Sequence, residues 1–223
     1  MKRRIASVAF VVLVGAVAVV IGAAVASWAQ GADDEPSAAA SSEALESPPV
    51  CPRAQLVSWQ KLADEIRAPA YCPSWLPEPL VGTFGGRFFN GRSVDPDRSY
   101  LVSFAWFESS QGLVNEVHVN LRGYPGSTRV PRCEDTLTVA GKTVRTKIPC
   151  FSDKRGTKRI GGVTATVYTA NQGADQWHVL YAWRRNGSLY TLSEHVAPPY
   201  SVEEVIFHLD RMMRRLVLVP PSA

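Results

Sequence analysis

Apolar positions along this chain fall into three regimes. From Ile5 to Ala29 they are continuous, 25 residues without a charge. From residue 30 to 49 they shrink to alanines and one leucine, Leu45, scattered mainly among Ser, Asp, Glu and Pro. From Val50 onward they recur at helical spacing over one short stretch, then with a period of two, and near the C-terminal end again of three to four. The first regime exceeds the roughly 20 helical residues that a bilayer core requires. Lys2, Arg3 and Arg4 precede it, and such a positive flank stays in the cytoplasm. The pattern predicts a basic cytoplasmic flank (1–4) and one transmembrane anchor (5–29). Ser27-Trp28-Ala29 also offers the small residues of a cleavage site, so a cleaved export signal and a secreted product form the second expectation. Residues 30–49 bury too little apolar area to offset their ordering entropy and read as a disordered linker. Residues 50–223 suffice for one core and one extracytoplasmic domain.

Within that domain, Trp59, Leu62, Ala63 and Ile66 share one face of a helix predicted over Ser58–Arg67, stopped by Pro69. Three prolines between Tyr71 and Pro79 exclude a helix or a central strand there. Gly82, Gly85 and Gly86 mark turns and lack the order of a phosphate loop. Strands are predicted over Ser99–Phe107 and Leu113–Leu121, with Gln111-Gly112 between them. In the second of these, Glu116, His118 and Asn120 face away from Val117, Val119 and Leu121. Asp135–Val139 and Lys142–Lys147 flank the compact turn Ala140-Gly141, and Gly162–Tyr168 is a further strand. Gln176–Arg184 and Leu189–His195 form the clearest hairpin, because Asn186-Gly187 tolerates positive φ at both central positions. His178, Leu180 and Ala182 share one of its faces; Trp177, Val179, Tyr181 and Trp183 share the other. Ser201 and Glu204 have the spacing of a capping box ahead of a stripe at Val202, Val205, Ile206, Leu209, Met212, Met213 and Leu216. The expected fold is α+β: a mostly antiparallel sheet of about six or seven strands with an N-terminal and a C-terminal helix packed on it.

Cysteine usage strengthens the topological reading. All four cysteines, Cys51, Cys72, Cys133 and Cys150, lie in the domain. An even number outside the cytoplasm favours disulfides, and their spacing does not resemble the close pairs of a zinc site. Of the three pairings, the local ones are expected: Cys51–Cys72, and Cys133–Cys150 around the Ala140-Gly141 hairpin.

Charge adds one local feature. The chain carries 24 basic and 20 acidic residues, net +4. Without the three basic residues at the N-terminus the balance is nearly even, so the high pI does not point to nucleic acid. Nine basic residues nevertheless lie between Arg129 and Arg159, opposed by Glu134, Asp135 and Asp153. Lys154, Arg155, Lys158 and Arg159 are the densest part, a candidate binding patch for an anionic lipid surface or an acidic envelope partner.

Candidate chemistry changes the picture little. The four histidines, His118, His178, His195 and His208, make no HExxH motif and no pair at helical ligand spacing. No metal ligand set is therefore predicted, and no cofactor fingerprint occurs. There is no G-x-S-x-G, and a carboxylate pair such as Glu108 with Glu116 is an arbitrary choice among exposed acids, so catalytic residues are not expected. Trp75, Phe84, Phe88, Phe89, Trp106, Trp177 and Trp183 could line an apolar cavity, although such residues more often fill a core.

Pro73-Ser74-Trp75-Leu76-Pro77-Glu78-Pro79-Leu80, then Trp183, Asn186-Gly187, Tyr190-Thr191-Leu192, the helix from Ser201 and the apolar end Leu216–Val219 together resemble an uncharacterised bacterial envelope domain family. That family follows a single transmembrane helix and includes ectodomains associated with anti-sigma factors. The likeness spans about residues 70–220; the cysteines and the basic stretch depart from it, and it brings no catalytic residues. It implies a non-enzymatic, membrane-anchored binding or sensory-support domain. The alternative expectation is an envelope carrier of a lipid or other apolar ligand. The Ala-, Val-, Arg- and Pro-rich composition fits an actinobacterial source.

Overall fold

A computed structural model describes residues 47–81, 86–108, 115–170 and 177–222. The anchor predicted over 5–29, most of the linker, and the turn residues Gln111-Gly112 lie outside them. Among the described residues no helix is long and apolar enough to cross a membrane.

The elements run in the order α1 (Arg53–Ile66), β1 (Ala70–Pro73), β2 (Arg87–Val94), β3 (Tyr100–Phe107), β4 (Glu116–Tyr124), β5 (Arg132–Val139), β6 (Lys142–Pro149), β7 (Asp153–Ile160), β8 (Val163–Ala170), β9 (His178–Arg185), β10 (Ser188–His195), α2 (Val202–Arg214) and β11 (Leu216–Val219). Seven strands form one antiparallel sheet in the order β2-β3-β4-β10-β9-β8-β7. The α+β prediction with a sheet of this size and two helices is thus what folds. Two separate ribbons, β1-β11 and β5-β6, complete the strands.

Period-two alternation decides which side of the sheet is packed. Tyr100, Val102 and Phe104 of β3, Val119 and Leu121 of β4, Val179, Tyr181 and Trp183 of β9, and Tyr190 and Leu192 of β10 point to one face. There they meet Trp59, Leu62, Ala63 and Ile66 of α1 and Val205, Leu209, Met212 and Met213 of α2. Tyr71 of β1 sits edge-on to both Trp183 and Tyr190, with ring centroids 5.3 and 4.8 Å away. The aromatics therefore fill the helix–sheet interface with rings in contact. Gly123 of β4 lies under the Tyr100 ring, where a Cβ would overlap it.

Both helices begin and end for local reasons. The Ser201 hydroxyl accepts from the Glu204 amide while the Glu204 carboxylate accepts from the Ser201 amide. That reciprocal contact holds the Glu204 carboxyl below its ordinary value. Arg211 and Arg214 occupy the last turn of α2, where the dipole favours cations. α1 starts after Pro52, earlier than the apolar spacing alone indicates, and closes on Arg67 in the left-handed conformation, φ 52°.

The opposite face is only partly covered. The segment after β4 folds across β8, β9 and β10, where Phe151 packs with Ala170, Leu180, Ala182 and Leu189. From that cover β5-β6 projects as a mostly exposed ribbon, its Leu137 and Val144 paired across the strands in solvent. The outer strands are β2 and β7. β7 carries Lys154, Arg155, Lys158 and Arg159 and an irregularity between Lys154 and Gly156, features that discourage pairing with another chain's edge.

Candidate functional site

Across β4, β10 and β9, the partly covered face of the sheet places three imidazoles in one row. Asn186-Gly187, at φ 49° and 72°, makes a tight turn that sets Ser188 opposite Arg185. Each step outward preserves that register, and it ends with His195 opposite His178. On the other side of β10, Ser193 pairs with Asn120 and Glu194 with Val119, so the next step along the ladder brings His118 beside His195. The three rings lie 5.0 Å (His178–His195), 5.2 Å (His118–His178) and 6.4 Å (His118–His195) apart between centroids. One ring nitrogen from each lies within 4.8 Å of the others.

Glu116 enters the same group from β4, two residues before His118 and therefore on the same face. Its Oε1 is 3.5 Å from Nδ1 of His118 and 3.8 Å from Nδ1 of His195. On the far side of the His118 ring, Nε2 lies 2.8 Å from Ser103 Oγ and 3.0 Å from Asn120 Oδ1. Ser103 donates its own hydroxyl hydrogen to Asn120 Oδ1 at 2.6 Å. With that hydrogen spent, Nε2 of His118 faces two acceptors and is the nitrogen that carries the proton. Nδ1, on the other side of the ring, is turned toward the Glu116 carboxylate. Burial is graded: His178 is 3% exposed, while the side chains of His118, His195 and Glu116 retain 22%, 23% and 14%.

A groove of about 460 Å³ leads to this cluster along β2 and β3. Phe89, Leu101, Ala105 and Phe107 line it together with Ser103, His118 and Asn120. The exposed Phe89 forms part of its outer wall. The site thus has a fixed buried member, two members within reach of solvent, and an approach.

The sequence-predicted residues lie elsewhere. Cys51 is joined to Cys72 and Cys133 to Cys150. The first bond ties the start of α1 to β1, and the second closes the base of the β5-β6 ribbon. The four basic residues of β7 do not form one patch. Lys158 reaches Asp210 of α2 at 2.7 Å and Tyr181 Oη at 3.3 Å on the packed face. Arg155 is held by Asp153 at 2.7 Å and by Thr169. Lys154 and Arg159 are exposed. Glu108 does not meet Glu116: it accepts from Asn115 Nδ2 at 2.6 Å, while Glu116 pairs with Phe107 in the ladder. The aromatics divide as well: Trp183 is buried in the core, Phe88, Phe89 and Trp177 are exposed, and Phe84 lies outside the described residues.

His208 belongs to a different environment. Its Nδ1 is 2.8 Å from Oε1 of Glu194, beneath α2 on the packed face. Glu194 is 1% exposed, and burial raises its carboxyl above the ordinary value despite the opposing pull of His208. The Tyr200 ring stands edge-on to the imidazole, centroids 4.5 Å apart.

Comparison with protein-family models, curated proteins and solved structures gives no match to this chain. Its functional reading therefore rests on its own residues.

Proposed function

We propose that this chain is a membrane-tethered, extracytoplasmic binding or sensory-support domain that works by association and not by catalysis. The observation that carries the reading is the pair of disulfides, Cys51–Cys72 and Cys133–Cys150. Such bonds persist in oxidising compartments. The basic flank and apolar run before residue 30 supply a matching route to the outer side. Association would use the face that presents Lys154, Arg159 and the basic β5-β6 ribbon, toward an acidic envelope protein or anionic lipid headgroups.

Topology is the direct test. A reporter that is active only outside the cytoplasm, fused after Ala223, should be active and membrane-associated. Intact mass should show all four thiols oxidised. An inactive reporter with thiols open to alkylation would overturn the reading. For the partner surface, Lys154→Glu with Arg159→Glu should weaken crosslinking to envelope components. Lys158 is a poor choice for that test, because its reversal breaks the contact with Asp210.

A further inference from the structure

We propose that His118, His178 and His195, together with Glu116, form a binding site for one late first-row divalent metal ion, zinc or copper. The proposal is independent of the membrane-tether reading. It rests first on placement: three adjacent, hydrogen-bonded strands deliver the three imidazoles in one cross-strand row, and the Glu116 carboxylate lies beside two of them, His118 and His195. The backbone that positions them is fixed by the ladder, so assembling the site costs little ordering entropy beyond the side chains.

The hydrogen bonds around His118 fix the orientation of its ring. Asn120 Oδ1 and Ser103 Oγ engage Nε2 and so direct Nδ1 at Glu116 Oε1, 3.5 Å away. A divalent cation seated between them would take the place of any proton on Nδ1 and be ligated by both groups. Metal-bound histidines are oriented in this manner, with the second ring nitrogen donating to a neighbouring acceptor. Glu116 Oε1 has the same relation to Nδ1 of His195, at 3.8 Å. One ion among these groups would have three nitrogen ligands and one oxygen.

Distances set the adjustment needed. Ligands about 2.1 Å from a tetrahedral ion stand roughly 3.4 Å apart, whereas the nitrogens here are separated by up to 4.8 Å. His178 is buried and stays in place. The partly exposed rings of His118 and His195 make the difference by turning inward about an ångström. Ligand type sets the metal class. Imidazole suits zinc and copper, whereas magnesium and calcium prefer all-oxygen sites. No thiolate competes among the described residues, because all four cysteines are in disulfides.

The experiment uses the full chain purified in detergent without a polyhistidine tag. After chelator treatment and dialysis it is titrated with Zn²⁺, Cu²⁺ and, as the oxygen-preferring control, Mg²⁺. One equivalent of Zn²⁺ or Cu²⁺ should bind and Mg²⁺ should not, and Co²⁺ should give the ligand-field spectrum of a four-coordinate site of three nitrogens and one oxygen. His195→Ala and Glu116→Gln alter partly exposed groups and preserve the fold, which near-ultraviolet circular dichroism verifies. His195→Ala should weaken Zn²⁺ binding at least about 100-fold, and Asn120→Ala should weaken it by about 10–100-fold through loss of the orienting contact. Failure of the wild-type chain to bind either ion stoichiometrically would overturn the proposal. So would an affinity unchanged in His195→Ala, which would place any bound metal elsewhere.

Discussion

Removing the two disulfides separately should give unequal results, although their loops are almost the same length. The bonds span 21 and 17 positions of sequence. In the chain-entropy treatment, opening either adds about 3 kcal/mol of freedom to the unfolded state. That figure reaches global stability only if the loop folds together with the core. Cys51 and Cys72 are both buried in the main cluster, and their loop contains α1, which supplies Trp59, Leu62 and Ile66. Cys133 and Cys150 close a ribbon whose strands pair with each other and stand mostly in solvent, and an isolated two-stranded ribbon is marginal by itself. Cys51→Ala with Cys72→Ala should therefore lower unfolding stability by about 3 kcal/mol or more and Tm by about 6–12 °C for a domain of this size. Cys133→Ala with Cys150→Ala should move the global transition by less than about 1 kcal/mol. It should instead abolish hydrogen-exchange protection in β5 and β6. Urea unfolding of both double variants, with exchange followed by mass spectrometry, decides the matter. Equal losses of global stability, with β5-β6 still protected, would refute the idea that the ribbon is a separate cooperative unit.

Two further substitutions probe the packed face. The Glu194 carboxyl is raised by burial, so the folded chain holds its proton more tightly than the unfolded one; the associated stability is complete below pH 4.5 and declines as pH rises through the shifted value. Urea midpoints taken from about pH 4 to about pH 8 should show that decline in the wild type and lose it in Glu194→Gln; identical slopes would contradict the assignment. Gly123→Ala should cost about 1–3 kcal/mol, because the added methyl overlaps the Tyr100 ring, and an unchanged urea midpoint would show that the ring moves aside freely.

Much of the fold is legible in the sequence because its signals are local. The alternation in β3, β4, β9 and β10, the Asn186-Gly187 turn and the Ser201–Glu204 cap each act within a few residues. What escapes has no such signal. β2 exposes nearly its whole length, and β7 is a charged outer strand whose basic residues read as a patch when seen only in sequence. β1 and β11 pair across nearly the whole domain.

The histidine row was partly within reach. A two-residue turn at Asn186-Gly187 fixes His178 opposite His195 by register alone. Alternation also sends His118 and Glu116 away from the core side of β4. The missing step is that β4 lies beside β10, a pairing separated by some seventy residues that no periodicity encodes. Searching for ligands at helical spacing could not find a site built across strands.

The Cys51–Cys72 bond also determines how the domain bears a mechanical load. A pull delivered through residues 47–50 arrives at Cys51 and crosses the sulfur bridge directly to Cys72. The intervening polypeptide, including all of α1, lies in parallel with a covalent shortcut and carries no tension. Strain on the leading segment is thus passed to β1 and its partner β11, while the helix that covers the sheet is spared from being unwound by force.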